Sequence, residues 1–374
     1  MFKKLKPIMP SVAFLLVIFV LSAALFIAPK KEYSENEKRI LAKAPELTLK
    51  SLADGKFTKD LESFVSDQFP LRDFFVGVQS YFNLACGRNS TAPVYYGKDG
   101  YLIAAPAQLS TDTALKNVQN FQDFAKENNL KASIMVVPQC GFVMNEKLPR
   151  IHGEYTDNEI YKVIEENKGD MTFIDIRKAF DKAKNDVQLY YKTDHHITSA
   201  GAFEMYKLYA AEKGFVVNED YEVKTEADFY GTSYSKGGYW LSDPDVIEMW
   251  HNKNLKVTVE ITEPGKDVVK HNSVFFTDRL EESDKYPVYL DGNHSLTKIT
   301  NPTAKGGKIL ILKDSFAHCF TGFLAEQYSE IYMVDMRYYR ISVSELVKEN
   351  GITDVLYLYG TESLGTDTNS SWLS

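Results

Sequence analysis

The chain has 374 residues, 44% of them hydrophobic and 13% aromatic, with a formal net charge of −8. That length and apolar content suffice for a full core plus one insertion and exclude a chain disordered throughout. The acidic balance, with no arginine-rich or lysine-rich stripe along the soluble part, excludes electrostatic wrapping of nucleic acid, so no nucleic-acid partner is expected.

The amino terminus opens with Lys3, Lys4 and Lys6 and continues into an uncharged run from about Ile8 to Ala28, close to the ~20 residues that cross a bilayer. A cytoplasmic tip and transmembrane anchor are predicted over residues 1–29. This is a single pass in the cell membrane that leaves the soluble domain outside the cytoplasm. Lysines flank both ends of the run, so the orientation does not follow from charge asymmetry alone; cleavage after Ala24, where Ser22 and Ala24 are both small, is the alternative.

Residues 30–93 read as a helical stalk or brace. Leu61, Phe64, Val65 and Phe69, then Phe74, Phe75, Val78 and Phe82, keep helical spacing that breaks at Pro70. From residue 94 to 374 the pattern changes. After "VYYGKDGYLI", with a hairpin turn at Lys98-Asp99-Gly100, a helix from about Thr113 to Asn128 leads into the strand "ASIMVVP", and a second helix leads into "TFIDI". Later come "KILILKD", a helix from about Ala317, "EIYMVD", a helix over about Val343 to Asn350, and "DVLYLYG". Short β-rich runs separated by amphipathic helices predict an α/β fold built on a doubly wound parallel sheet. Between about residues 228 and 304 the rhythm breaks, and "KVTVEITEPGKDVV" alternates at period two around Pro-Gly, predicting a β-hairpin insertion. Cys86, Cys140 and Cys319 lie far apart without a C-x-x-C pair and specify neither a zinc knuckle nor a disulfide framework.

In open α/β sheets reactive side chains gather at the carboxyl ends of the strands. Gln139 and Cys140, Asp314 and Ser315, Asp335 and Arg337, and Gly360, Thr361 and Glu362 occupy those places. Only "KILILKDSFAHCF" offers a nucleophile at a strand-to-helix turn: Ser315, with helix-start N–H groups to receive an oxyanion. The competing reading of Ser315 is a helix cap. A serine hydroxyl needs a base, and "YYKTDHHITSAGAF" supplies one. If that stretch is extended, residues two apart share a side, so Asp194 pairs with His196 while His195 points away. The carboxylate then orients the imidazole toward Ser315, the logic of a serine triad. Thr198 or Ser199 would cap the next helix and Gly214 end it.

Other readings stay open at this point. The Asp-His pair could be structural, or could bind a metal with a third ligand such as His318. Glu362 and Asp335 could serve a glycosidase only if they faced each other at a defined separation. Tyr190, Tyr191, Tyr230, Tyr239 and Trp240 could stack on sugar rings.

D-H-H followed by K-D-S-F, together with "SENEKRILAKAP", "FTKDLESFVSDQFPLRDFF", "YYGKDGYLI" and "VDMRYY", resembles the DHHW family, SGNH-hydrolase-like proteins related to the alginate O-acetyltransferase proteins of bacterial envelopes. The resemblance spans most of Glu35 to Gly360. It implies an SGNH-hydrolase-like sheet in circularly permuted order. It implies a triad of Ser315, His196 and Asp194 needing no metal or cofactor, and oxyanion or substrate groups at Arg337, Tyr359, Gly360 and Thr361. The implied activity is that of a serine esterase or O-acetyltransferase acting on cell-surface polysaccharide, with a polytopic membrane O-acyltransferase as the acetyl source. A noncatalytic carbohydrate-binding or scaffold protein of such an envelope complex is the alternative. Two positions depart from the pattern. Ile197 replaces the family tryptophan, which bears on packing beside His196 or on an aromatic surface for sugar. Lys313 replaces the glycine of a typical G-D-S, which bears on the tightness of the elbow.

Overall fold

A computed structural model describes residues 9–91 and 93–373; Lys3, Lys4, Lys6 and the start of the apolar run at Ile8 lie outside the described residues. The chain forms two compact units. One comprises the residues up to Arg88 with Gly238–Trp240, and the other Asn89–Gly237 with Leu241–Ser374.

The first unit contains α1 (Met9–Ile27), a 19-residue helix long and apolar enough to cross a membrane. It continues through α2 (Leu49–Ala53), α3 (Lys56–Asp67) and α4 (Arg72–Ala85). The expected break at Pro70 is present: α3 closes at Gln68, and Leu71, at φ 57°, redirects the chain into α4.

In the second unit, β1 (Val94–Tyr96) and β2 (Leu102–Ala104) pair antiparallel across the Lys98-Asp99-Gly100 turn, where Asp99 and Gly100 both take positive φ. Next come α5 (Thr111–Glu127), β3 (Lys131–Val137), α6 (Asp157–Asn167), β4 (Thr172–Ile174) and α7 (Ser199–Lys213). A two-stranded ladder, β5 (Glu222–Phe229) with β6 (Asp245–His251), is followed by β7 (Thr258–Thr262), β8 (Val269–His271) and β9 (Leu296–Thr300). The chain closes with β10 (Gly306–Lys313), α8 (Ala317–Leu324), β11 (Tyr328–Val334), α9 (Val343–Asn350), β12 (Asp354–Gly360) and α10 (Thr361–Thr366).

Eight strands form the main sheet in the order β8-β7-β9-β11-β10-β12-β3-β4. From β11 to β4 all neighbours are parallel, whereas β8, β7 and β9 add antiparallel. The hairpin at Pro264-Gly265 therefore forms, but it does not stand apart. Thr297 and Ile299 of β9 are buried and register against Met333 and Ile331 of β11, so the hairpin extends the main sheet and makes it mixed.

Side-chain alternation divides the core between the two faces. Ile309 and Ile311 join the cluster that holds Met205 of α7 and Phe320 of α8, while Leu310 and Leu312 join the one that holds Phe121 of α5, Ile160 of α6 and Val347 of α9. This is the two-sided packing expected of a doubly wound sheet.

Candidate active site

The segment from Leu189 to Thr198 is a closed loop rather than an extended strand. Tyr190 bridges Ile197 in antiparallel fashion, Tyr191 N–H donates to the His196 carbonyl at 3.1 Å, and Thr198 N–H donates to the Leu189 carbonyl at 2.9 Å. Asp245, on β6, fixes the loop from outside by accepting from Lys192 N–H (2.9 Å), Thr193 N–H (2.6 Å) and the Thr193 hydroxyl (2.6 Å). Thr198 then caps α7 through Gly201 N–H, and Gly214 ends it at φ 70°.

Asp194 and His196 nevertheless meet, for a reason other than strand alternation. Asp194 Oδ1 accepts the backbone N–H of His196 at 2.8 Å, an Asx-type turn, and His196 Nδ1–H at 2.5 Å. Asp194 Oδ2 accepts Thr232 N–H at 2.6 Å and the Thr232 hydroxyl at 3.0 Å. Burial alone would raise this carboxyl. The neighbouring His196 and then His195 rings, with hydrogen bonds from His196 and Thr232, hold it well below the usual carboxylate range. Gly231 lies against the carboxylate so closely that a Cβ there would collide with it.

With Nδ1 donating to the carboxylate, His196 Nε2 is the acceptor for the Ser315 hydroxyl, at 2.7 Å. Tyr286 stacks on the imidazole at 3.9 Å between centroids and 8° between planes, and the Phe316 ring meets it edge-on at 5.5 Å. Ser315 occupies the β10-to-α8 turn. There Asp314 Oδ1 accepts Phe316 N–H at 3.0 Å and Oδ2 accepts Gly360 N–H at 2.7 Å, so the turn is tied to the end of β12. His195 is half-buried; its Nδ1 lies 2.6 Å from the Thr232 hydroxyl, and burial followed by the charge of His196 pushes its imidazole down.

The Asp194, His195 and His196 donor atoms lie within 4.8 Å of one another. Both ring nitrogens of His196 already have partners, however, so a cation would have to displace Asp194 or Ser315. His318 does not complete such a set, because its Nε2 accepts from Lys313 Nζ at 2.7 Å.

The other expected site residues divide between two recesses. Gly360 and Thr361 line a cavity of about 40 Å³ with Asp194, His195, Phe316 and Gln139. Arg337 and Tyr359 line a separate one of about 20 Å³ with Lys313 and Asp335. Several of their polar groups are engaged within the protein: Gly360 N–H by Asp314, the Thr361 hydroxyl by Asp157 at 2.5 Å, and the Arg337 guanidinium by Asp335 at 2.6 Å. Tyr359 is buried and stacks on Phe121.

Ile197 is wholly buried beside Leu189, Tyr190 and Ala202, so this position packs the core and offers no surface to a sugar. Tyr190, Tyr191 and Tyr239 are likewise core residues. Lys313 is 2% exposed. Its ammonium reaches His318, Asn293 at 3.2 Å and Asp335 at 3.4 Å, and burial pushes it down to about 8 despite the attraction of Asp335. Thr232, Tyr286, Gly231 and Asp245, which shape the site, all fall around or within the stretch read as an insertion. The one local cue to any of them is the glycine in "YGTS".

Residues 158–334 match the DHHW protein family, and residues 94–213 match the SGNH hydrolase-like domain of acetyltransferase AlgX. A DHHW family protein from Eubacterium siraeum superposes with TM-score 0.64 at 22% identity, covering 75% of this chain and 95% of its own. PatB1 of Bacillus cereus, in a form carrying a sulfonyl adduct, superposes with TM-score 0.63 at 20% identity, covering 74% and 97%. Among curated proteins no sequence relative matches. The chain thus carries a DHHW family match within an α/β domain of the SGNH hydrolase-like fold.

Proposed function

We propose that the protein is a membrane-anchored serine O-acetyltransferase or acetylesterase working on cell-surface polysaccharide outside the cytoplasm. The observation that carries this reading is the unbroken hydrogen-bonded series from Asp194 through His196 to Ser315. The match of residues 94–213 to an SGNH hydrolase-like acetyltransferase domain supports acetyl as the group transferred. In this reading residues 1–29 anchor the chain, residues 30–93 brace it and residues 94–374 carry the chemistry.

Ser315 Oγ attacks the carbonyl carbon of an acetyl ester while His196 Nε2 takes the hydroxyl proton, and Asp194 holds the resulting imidazolium in place. The oxyanion is received by Ser315 N–H, which has no partner among the described residues. Gly360, Thr361 and Arg337 act as frame and substrate wall, with the Gly360 N–H, the Thr361 hydroxyl and Arg337 Nε and Nη2 already engaged. As the tetrahedral centre collapses, the bond to the donor alkoxide breaks and His196 returns the proton to it, leaving acetyl on Ser315. An acceptor hydroxyl then gives its proton to His196 and attacks the acetyl carbonyl, and as the bond to Ser315 Oγ breaks His196 hands that proton to the serine oxygen. Water as acceptor makes the reaction hydrolysis, and a sugar hydroxyl makes it transfer. A polytopic membrane O-acyltransferase is the acetyl source this reading implies.

The test is turnover of an acetyl ester by the full chain, with and without polysaccharide acceptor. Ser315→Ala and His196→Ala should nearly abolish turnover and labelling by a fluorophosphonate, whereas His195→Ala should retain both. Full activity in Ser315→Ala would overturn the assignment. Polysaccharide retention without label or turnover in the wild type would point to the noncatalytic binding protein instead.

A further inference from the structure

The first unit has little interior. Neither α3 nor α4 buries a large apolar side chain; α4 buries only Gly77 and Ser80. The inner side of α4 is kept slim by Trp240, whose Nε1–H donates to the Asp73 carbonyl at 2.7 Å and whose ring leaves no room for a Cβ on Gly77. The large residues face the other way: Leu71 is 68% exposed, Phe74 60%, Val78 47% and Phe82 65%. Their spacing of three to four residues places them on one stripe. A helix with its small residues inward and its aromatic residues outward is matched to an apolar environment, and a contiguous patch of this kind marks a contact surface.

The same unit indicates what that environment is. Lys31, four residues past the end of α1, is fastened to Gln68: its N–H donates to Oε1 at 3.0 Å, and Gln68 Nε2 donates to its carbonyl at 2.8 Å. Lys30 Nζ lies 5.6 Å from the centre of the Phe64 ring. Four residues span at most about 14 Å, so the junction before α4 is held close to where α1 leaves the hydrocarbon. We propose that α4 lies in the membrane interface, with Phe74, Val78 and Phe82 among the lipid acyl chains and Lys30 and Lys31 at the headgroups. The proposal rests on the reading of α1 as a retained anchor.

The test uses the full chain in vesicles of phosphatidylethanolamine and phosphatidylglycerol, with a benzophenone amino acid placed singly at Phe74, Val78, Phe82, Phe19 or Tyr338, the last exposed on the second unit. After irradiation, lipid adducts at 74, 78 and 82 should exceed those at 338 several-fold. Adducts to a second copy of the chain, to another segment of the same chain, or to neither lipid nor protein at those three positions would overturn the proposal. Position 19 reports on the anchor separately. Lipid adducts at 19 without any at 74, 78 and 82 leave the anchor standing and sink the interfacial helix. Loss of the amino-terminal peptide with lipid adducts still at 74, 78 and 82 does the reverse.

Discussion

Replacing Asp194 by Asn changes one oxygen to an NH2 group inside a site where both carboxylate oxygens accept. The four donors are His196 N–H, His196 Nδ1–H, Thr232 N–H and the Thr232 hydroxyl. The hydroxyl can reverse its role and accept, and so can His196 Nδ1 if the ring proton moves to Nε2, whereas the two backbone N–H groups cannot. If the amide nitrogen turns toward His196, the imidazole loses its acceptor and the tautomer that leaves Nε2 free for Ser315. If it turns toward Thr232, the backbone N–H there is left facing a donor, at a cost of about 1–3 kcal/mol. In either orientation the carboxylate charge that steadies the imidazolium is gone. Losing the orienting acid of a serine triad lowers turnover ~10³- to 10⁴-fold, about 4 to 5.5 kcal/mol at about 1.36 kcal/mol per decade. The assay is kcat/KM for an acetyl ester, with a parallel urea titration to separate folding from catalysis. The Asp194 carboxyl is depressed in the folded state. Its contribution to stability is therefore complete above the unfolded value of about 3.9 and fades as pH falls through the lower folded value. The stability gap between wild type and Asp194→Asn should close in strong acid. A variant that folds normally and keeps activity within about tenfold, less than general base assistance typically supplies, would refute the role given to Asp194.

Gly231→Ala should push the Asp194 carboxylate off His196 and lower kcat ~10²-fold or more, with little change in KM for a small ester. Tyr286→Ala removes the ring stacked on His196 and should cost about 1 kcal/mol in kcat/KM. Lys313→Met, read by urea unfolding across pH, should behave asymmetrically. The Lys313 ammonium is disfavoured in the fold, and that penalty is full below about 8 and relieved as pH rises toward the unfolded value of 10.5. Wild-type stability should therefore gain on that of Lys313→Met over this alkaline window; a flat difference would contradict a buried, titrating Lys313.

Much of this was legible in local text. The helices after Ser110 and Ser342, the turn at Gly100 and the strands around Ile309 and Leu356 all carry their own caps, turn residues or apolar runs. Asp194, His196 and Ser315 could be paired because a nucleophile at a strand end requires a base. The Asp194–His196 pairing itself comes from a turn and not from an extended chain. Alternation along a strand and an Asx turn bring residues two apart together alike, and only the closure of Tyr190 on Ile197 tells them apart. That the hairpin at Pro264 joins the main sheet is not legible locally, because pairing of Thr297 with Met333 leaves no mark in either strand. Thr232 and Asp245 carry no local mark for the same reason, since each acts on a loop some forty to fifty residues earlier.

The order of strands has a consequence for synthesis. β12 lies between β10, which leads to Ser315, and β3, whose sequence is complete more than two hundred residues earlier. A chain made amino terminus first can build β3 with β4 early, yet the two halves of the sheet have no shared edge until the last few tens of residues arrive. Gly360 N–H, the partner of Asp314 beside Ser315, arrives with that final strand. A nascent or prematurely terminated chain would thus lack the strand that ties the Ser315 turn to β3, and under the function proposed above its site would be incomplete.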